Sequence, residues 1–348
     1  MRFQRGICAA FVIGLGSLAA IEGCSLVTGY DGFYGASPTA TCGARVPANT
    51  GKPVAAATDK GTLVGAAQTL RFGGAAGQPL GLDLDENCQT TACEAKEGNA
   101  RTIGVDNVLG KFIGKLNPQE DISIAAIKNG TLGLLVEVTS WNGTDNDDQI
   151  NVSMFNVAGA NGSADGGAVL VNDGTDVYIA RDTDVQTAPV PRNLFTSSKA
   201  YVTKKQLVAR FGQVRVRLLD PTMVGIRAVD LPIVDAVLVG TVTLAQGGLA
   251  MPDAQLVGRV RDSDMLSILS QLGLCSDTAA YSTFKSDVCG IIDLTDAVNT
   301  DGQKRPCTSG SIAIGLAVAP AKRDTGTTAP APIDPSLCPG NLMDTCKR

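Results

Sequence analysis

Short runs of alternating apolar and polar residues, separated by turn residues, recur from Thr62 to residue 261. They constrain the fold more than any other feature of the chain. TLGLLVEVTSW (131–141) puts Leu132, Leu134, Val136 and Val138 on one face, because successive side chains of a strand point to opposite sides. NGTDNDD (142–148) reads as a turn, and QINVSMFNV (149–157) roughly continues the period with Ile150, Val152, Met154 and Val157. The pair predicts an antiparallel hairpin. Further strands are expected at 168–173, 176–181, 199–203, 206–211, 214–219, 236–244 and 255–261. Such spacing predicts an all-β fold, an antiparallel β-sandwich or, as the alternative, a partly open barrel. Val214-Arg215-Val216-Arg217-Leu218 alternates apolar with basic residues and reads as a sheet with one solvated face.

One or two short helices interrupt the strands. In DSDMLSILSQLG (262–273), Met265, Ile268, Leu269 and Leu272 follow helical spacing. Asp262 or Ser263 can cap its start, and Gly273 can end it. A weaker helix is expected over 277–287, and 321–335 reads as an extended Pro/Thr-rich tail.

Composition removes several functions. The 348 residues include no histidine, which excludes a Ser-His-Asp triad, a Cys-His pair and a histidine zinc site. A formal charge of −5 disfavours a nucleic-acid partner. Aromatics are 4% of the chain, too few for the girdles of a porin-like barrel. Trp141 is the single tryptophan, which argues against stacked sugar platforms.

The N-terminus reads as an export signal. Arg2 and Arg5 precede an uncharged run from Ile7 to Ile21. That run is shorter than the roughly 20 apolar residues of a membrane-spanning helix and suits a signal-peptide core. Ile21-Glu22-Gly23-Cys24 resembles the lipobox of bacterial lipoproteins, with Glu22 departing from the usual small or apolar residue. The resemblance implies lipidation of Cys24 and cleavage before it. Ordinary cleavage after Ala19 is the rival. Ser25 is not the aspartate that retains such lipoproteins on the inner membrane, so the resemblance implies the outer membrane, facing periplasm or cell surface. The expected layout is a signal peptide (1–23), a lipidated N-terminus and flexible tether (24–61), one β-rich domain (62–320) and an extended C-terminal tail (321–348).

Removal of Cys8 with the signal and acylation of Cys24 leave Cys42, Cys88, Cys93, Cys275, Cys289, Cys307, Cys338 and Cys346. The even number predicts structural disulfides in an oxidising compartment. Proximity along the chain suggests Cys88 with Cys93, Cys338 with Cys346, and Cys275 and Cys289 flanking a short helix. No C-x-x-C pair is present, so a zinc ribbon or thioredoxin-like site is not expected.

The motifs that carry chemistry are weak. GVDNVLGKF (104–112) has one residue too many between Gly104 and Gly110 for a phosphate loop, and Phe112 stands where Ser or Thr would hold magnesium. Asp83, Asp85 and Glu86 form one acidic group, and Asp145, Asp147 and Asp148 form another. The second could offer oxygens to calcium, but it lacks the glycine and terminal glutamate of an EF-hand loop; solvated carboxylates at a hairpin tip are the simpler reading. No two carboxylates are selected at a separation suited to glycoside hydrolysis. The chain carries no implied cofactor.

GLDLDENC (81–88), IGVDN (103–107), WNGTDNDDQINV (141–152), KAYVTKKQLVARF (199–211) and LVGRVRDSDMLSIL (256–269), with Cys275, Cys289 and Cys307, resemble a group of predicted lipoproteins from myxobacteria and their relatives. The resemblance implies an envelope location and a single-domain layout, without a reaction. The expected function is that of a cell-envelope lipoprotein with a structural or interaction role and no catalytic site. A carbohydrate- or protein-binding module, with or without calcium, is the first alternative, and a carboxylate-based hydrolase the second.

Overall fold

The computed structural model describes residues 45–50, 58–72, 80–84, 93–94, 106–115, 126–128, 130–161, 170–181, 184–186, 192–219, 228–271, 273–295, 305–329, 338 and 344–346. In chain order the strands are β1 (Leu63–Arg71), β2 (Cys93–Glu94), β3 (Leu134–Thr139), β4 (Asp147–Ala160), β5 (Val177–Arg181), β6 (Val185–Gln186), β7 (Arg192–Asn193), β8 (Phe195–Thr203), β9 (Gln206–Leu219), β10 (Ala228–Thr241), β11 (Thr243–Ala245), β12 (Gly248–Arg261), β13 (Arg305–Pro306), β14 (Ser309–Pro320) and β15 (Lys322–Ala329). The helices are α1 (Val108–Lys115), α2 (Asp262–Gln271) and α3 (Ala279–Ile291).

Eight strands close on themselves in the order β4-β3-β1-β14-β12-β10-β9-β8, every neighbour antiparallel, and β8 pairs back onto β4. The expected sandwich is therefore corrected to a closed barrel. A sandwich leaves edge strands; here β8 bonds to β9 on one side and to β4 on the other. Closure needs curvature, which bulges supply by bending a strand and increasing its twist. Register shifts interrupt β1 at Ala67/Thr69, β4 on both sides of Ile150, and β12 between Met251 and Ala254. In β10 the shift lies between Val234 and Val237, where Asp235 adopts a φ of 48°.

The hairpin face read from the sequence lines the barrel core. Leu132, Leu134, Val136, Val138, Ile150, Val152 and Met154 are buried in it together with Ile312, Ile314, Leu316 and Val318 of β14. Val157 leaves this face and joins a second cluster with Leu135, Phe155, Tyr178 and Ala321. That cluster lies on the outside of β3 and β4, where β5 and β15 extend the sheet, β15 running parallel to β5. A third cluster, Val208, Val237, Val239 and Val257, is covered by Val46, Leu80 and Leu84. Arg210, Gln213 and Arg215 on β9 are exposed, whereas Val214 and Val216 are buried in the core. A core of aliphatic side chains with cations outside inverts the pattern of a transmembrane barrel. No described helix is long and apolar enough to cross a membrane.

Both barrel ends are shut. At one, Met265, Leu266 and Leu269 of α2 and Tyr281 and Val288 of α3 join the core. At the other, Trp141 and Val242 join it, with the Trp141 indole N–H donating to the Thr144 carbonyl at 3.1 Å.

Several expected elements change. Residues 206–211 and 214–219 form one continuous strand, β9. Residues 170–173 are not a strand, and β14 stands where none was expected. The helix of 262–273 is α2, closed by Gly273 at a φ of 84°. The weaker helix is α3, capped by Thr278, whose hydroxyl accepts the Tyr281 N–H. The expected tail begins without a break, since Ala321 is buried and β15 follows it. Upstream of the barrel, Asn49 Nδ2 donates to the Asp148 carbonyl at 3.1 Å, the Thr50 and Thr203 hydroxyls lie 3.1 Å apart, and the Tyr201 hydroxyl donates to the Pro47 carbonyl. The chain is thus already docked on the barrel from residue 46 to 50.

Candidate functional site

A set of buried polar groups sits at the barrel's closing seam. β8 begins at Phe195, opposite Met154 of β4. One residue pair further along, β4 has no β8 neighbour and faces β9 across a gap. Asn156 bridges it. Its Nδ2 donates to the Arg215 carbonyl at 3.0 Å, and its Oδ1 accepts the Arg217 N–H at 3.0 Å. A side-chain amide has the same donor and acceptor as a peptide group, so Asn156 substitutes for the missing strand.

Asp184 completes the seam. Its Oδ2 accepts from the Asn156 backbone N–H at 2.5 Å and from Asn156 Nδ2 at 2.9 Å. Burial pushes the Asp184 carboxyl above its ordinary range, with the Asn156 hydrogen bonds and Arg181 opposing. Arg181, at the end of β5, forms a two-pronged ion pair with Asp230 of β10 at 2.8 and 3.1 Å. The constellation holds two carboxylates, the feature a carboxylate hydrolase would need. Asp184 is only 1% exposed, however, and its Oδ2 is engaged by Asn156. What the geometry does is lock β4, β5, β9 and β10 together.

The acidic hairpin is also a backbone organiser. Asp147 is buried; its Oδ2 accepts the Asn142 N–H at 3.0 Å and its Oδ1 the Gln149 N–H at 3.4 Å. Asn142 Oδ1 accepts the N–H and hydroxyl of Thr144 at 2.8 and 2.7 Å. Asp173 repeats the motif with Thr175 at 2.9 and 2.5 Å, which lowers its pKa. Gly143 and Gly174, between the paired residues, have φ values of 78° and 89°, a conformation that favours glycine. The solvated-tip expectation fits Asp145, which is exposed 3.8 Å from Lys205, and not Asp147. Among the described residues no three His, Cys, Asp or Glu side chains are grouped to hold a metal. In the other acidic group Asp83 is buried, 3.9 Å from Arg45, whereas Asp85 and Glu86 lie outside the described residues.

The phosphate-loop fragment has a packing role. Helix α1 starts at Val108. Asn107 Oδ1 accepts the Ala313 N–H at 2.7 Å and Nδ2 donates to the Leu80 carbonyl at 3.1 Å, fixing the helix to β14. A methyl group at Gly110 would collide with the Asn107 side chain and lie 2.8 Å from the Phe72 carbonyl. The glycine is there for close approach of chain to chain.

Cys275 pairs with Cys338 and Cys289 with Cys346, so neither the Cys338–Cys346 nor the Cys275–Cys289 proximity pairing forms. Cys307 is disulfide-bonded, and Cys93 lies on β2 beside β13. Cys24, Cys42 and Cys88 lie outside the described residues. Between the two C-terminal bridges, Asp344 accepts from the Tyr281 hydroxyl at 2.8 Å and from Lys285 Nζ at 2.7 Å.

Asn156, Arg181, Asp184, Asp230 and Asp344 were not singled out in the sequence. Only Asn156 had a visible signal, a polar residue inside the apolar run of VSMFNV.

The architecture is that of a filled, closed, eight-stranded antiparallel barrel. Compared with protein-family models, with curated proteins and with solved structures, the chain matches none.

Proposed function

We propose that the chain is a lipid-anchored protein of the cell envelope, on the outer membrane, whose barrel is a non-catalytic interaction body for a protein or glycan partner. The observation that carries this reading is the apolar run Ile7–Ile21 ending in Ile21-Glu22-Gly23-Cys24. The likeness to predicted myxobacterial lipoproteins points the same way. The Cys275–Cys338 and Cys289–Cys346 bridges support an oxidising compartment. A core occupied by aliphatic side chains, with exposed cations on the outer wall, suits a body displayed in water.

Two or three acyl chains would hold it there, since each buried methylene contributes about 0.8 kcal/mol and one chain alone is marginal. Metabolic labelling with a fatty-acid analogue tests the anchor. The wild-type protein should take up label and fractionate with outer membranes, and Cys24→Ala should abolish labelling. An unlabelled wild-type protein whose N-terminal peptide begins at Ala20 with an unmodified Cys24 would sink the reading.

A further inference from the structure

We propose that Asp344 and α3 form a template that selects the C-terminal disulfide pairing during oxidative folding, independently of whether Cys24 is lipidated. Four thiols, Cys275, Cys289, Cys338 and Cys346, have three connectivities. In an unfolded chain, loop-closure entropy favours the two local bridges, Cys275–Cys289 and Cys338–Cys346, by roughly 30-fold over the native pair, whose loops share the segment 289–338. The native bridges join residues 63 and 57 apart in sequence. Something in the folded structure must outweigh that bias.

The geometry of α3 supplies it. Tyr281, Lys285 and Cys289 recur every fourth residue, on one face of the helix. The tail lies along that face in the same order. Asp344 receives the Tyr281 hydroxyl at 2.8 Å and Lys285 Nζ at 2.7 Å, and Cys346 meets Cys289 one helical turn on. Four helical residues rise about 6 Å, and two extended residues span about 7 Å, so tail and helix are in step. The backbone adds two more contacts. The Thr345 N–H donates to Asp344 Oδ1 at 2.8 Å, and the Cys346 N–H donates to Asp262 Oδ2, at the start of α2, at 2.8 Å. Asp344 is thus a positioning residue: it seats the tail with the Cys346 thiol at Cys289 before the covalent bond exists.

The bond then forms by exchange with an oxidised thiol donor such as glutathione disulfide. One protein thiolate attacks the donor, giving a mixed disulfide and one glutathione. The second protein thiolate attacks that mixed disulfide at the protein sulfur and releases a second glutathione. Two protein thiols are oxidised, one glutathione disulfide is reduced, and the two protons leave on the glutathiones.

The test is refolding of the reduced full chain in a glutathione redox buffer, quenched with iodoacetamide at intervals and mapped by non-reducing peptide mass spectrometry. In the wild type, Cys289–Cys346 should dominate over Cys338–Cys346 from the first folded samples. Asp344→Ala and Lys285→Ala should each shift that early ratio toward the local pair at least fivefold, with Asp344→Glu partly restoring it. Asp147→Ala, which loosens the β3–β4 hairpin at the opposite end of the barrel, should leave the ratio unchanged. A wild-type ratio in Asp344→Ala, or an equal shift in Asp147→Ala, would overturn the proposal.

Discussion

Asn156 closes the barrel wall with a side chain where β8 has run out. Truncation to alanine would strand the Arg215 carbonyl, the Arg217 N–H and one acceptor site of Asp184, all engaged by its amide. Unsatisfied buried groups cost about 1–3 kcal/mol each, so Asn156→Ala should lower stability by about 3 kcal/mol in chemical denaturation. Asn156→Asp should do no better, because a carboxylate has no N–H for the Arg215 carbonyl. Asp184 behaves oppositely. Burial raises its pKa above the ordinary 3.8, so the folded state holds the proton more tightly than the unfolded chain. Its favourable contribution is full below that value and is lost as pH rises through the raised one. Asp184→Asn keeps an oxygen for both Asn156 hydrogen bonds and removes the charge. Stability at neutral pH should hold or increase, and the decline on leaving acid pH should flatten, as read from urea midpoints between about pH 3 and 7.

At the scale of elements, two local structures are decided by carboxylates that look alike in sequence. In the β3–β4 loop, Asp147 binds backbone N–H groups of Asn142 and Gln149. Asp147→Ala should cost about 1–2 kcal/mol, and the loss should be the same with calcium or with a chelator; a melting shift seen only with calcium would restore the metal reading. On α3, Tyr281 is pushed up to about 12, by burial first and then by the hydrogen bond and charge of Asp344. The stability this contributes is present below the ordinary value of 10.0 and is lost as pH rises toward about 12. Burial pushes Asp344 itself upward, but the hydrogen bonds from Lys285, Tyr281 and Thr345 outweigh it, and its pKa is lowered. Its contribution therefore holds above the ordinary 3.8 and fades as pH falls below it. Asp344→Ala should bring the Tyr281 phenol back toward 10 in an ultraviolet titration, with Tyr281→Phe identifying the signal.

For the whole molecule, closure removes the weak edge at which a sheet could fray. Trp141 is 2% exposed at one end of the barrel, and α2 and α3 shut the other. Fluorescence of Trp141, the single tryptophan, should therefore lose its native signal at the same denaturant midpoint as the far-ultraviolet circular dichroism. Two separated midpoints would show that the hairpin end loosens before the barrel opens.

What the sequence determined by itself was local. The alternation in 131–157 put the right side chains in the core up to Met154, and Gly273 marked the end of α2, because period and cap depend on neighbours a few residues away. β14 was missed because most of its residues are buried, so SGSIAIGLAVAP shows little alternation. Three things were left to tertiary structure. A period-two strand reads the same in a sandwich and in a barrel, so closure depended on bulges and on β8 meeting β4. Val157, three residues after Met154, falls with Phe155 on the outer face by regular alternation, and only the cover of β5 buries that face. Cys275 and Cys289 did not pair with each other, nor Cys338 with Cys346, because partners are set by distance in the folded chain, and α3 with Asp344 brings Cys346 to Cys289.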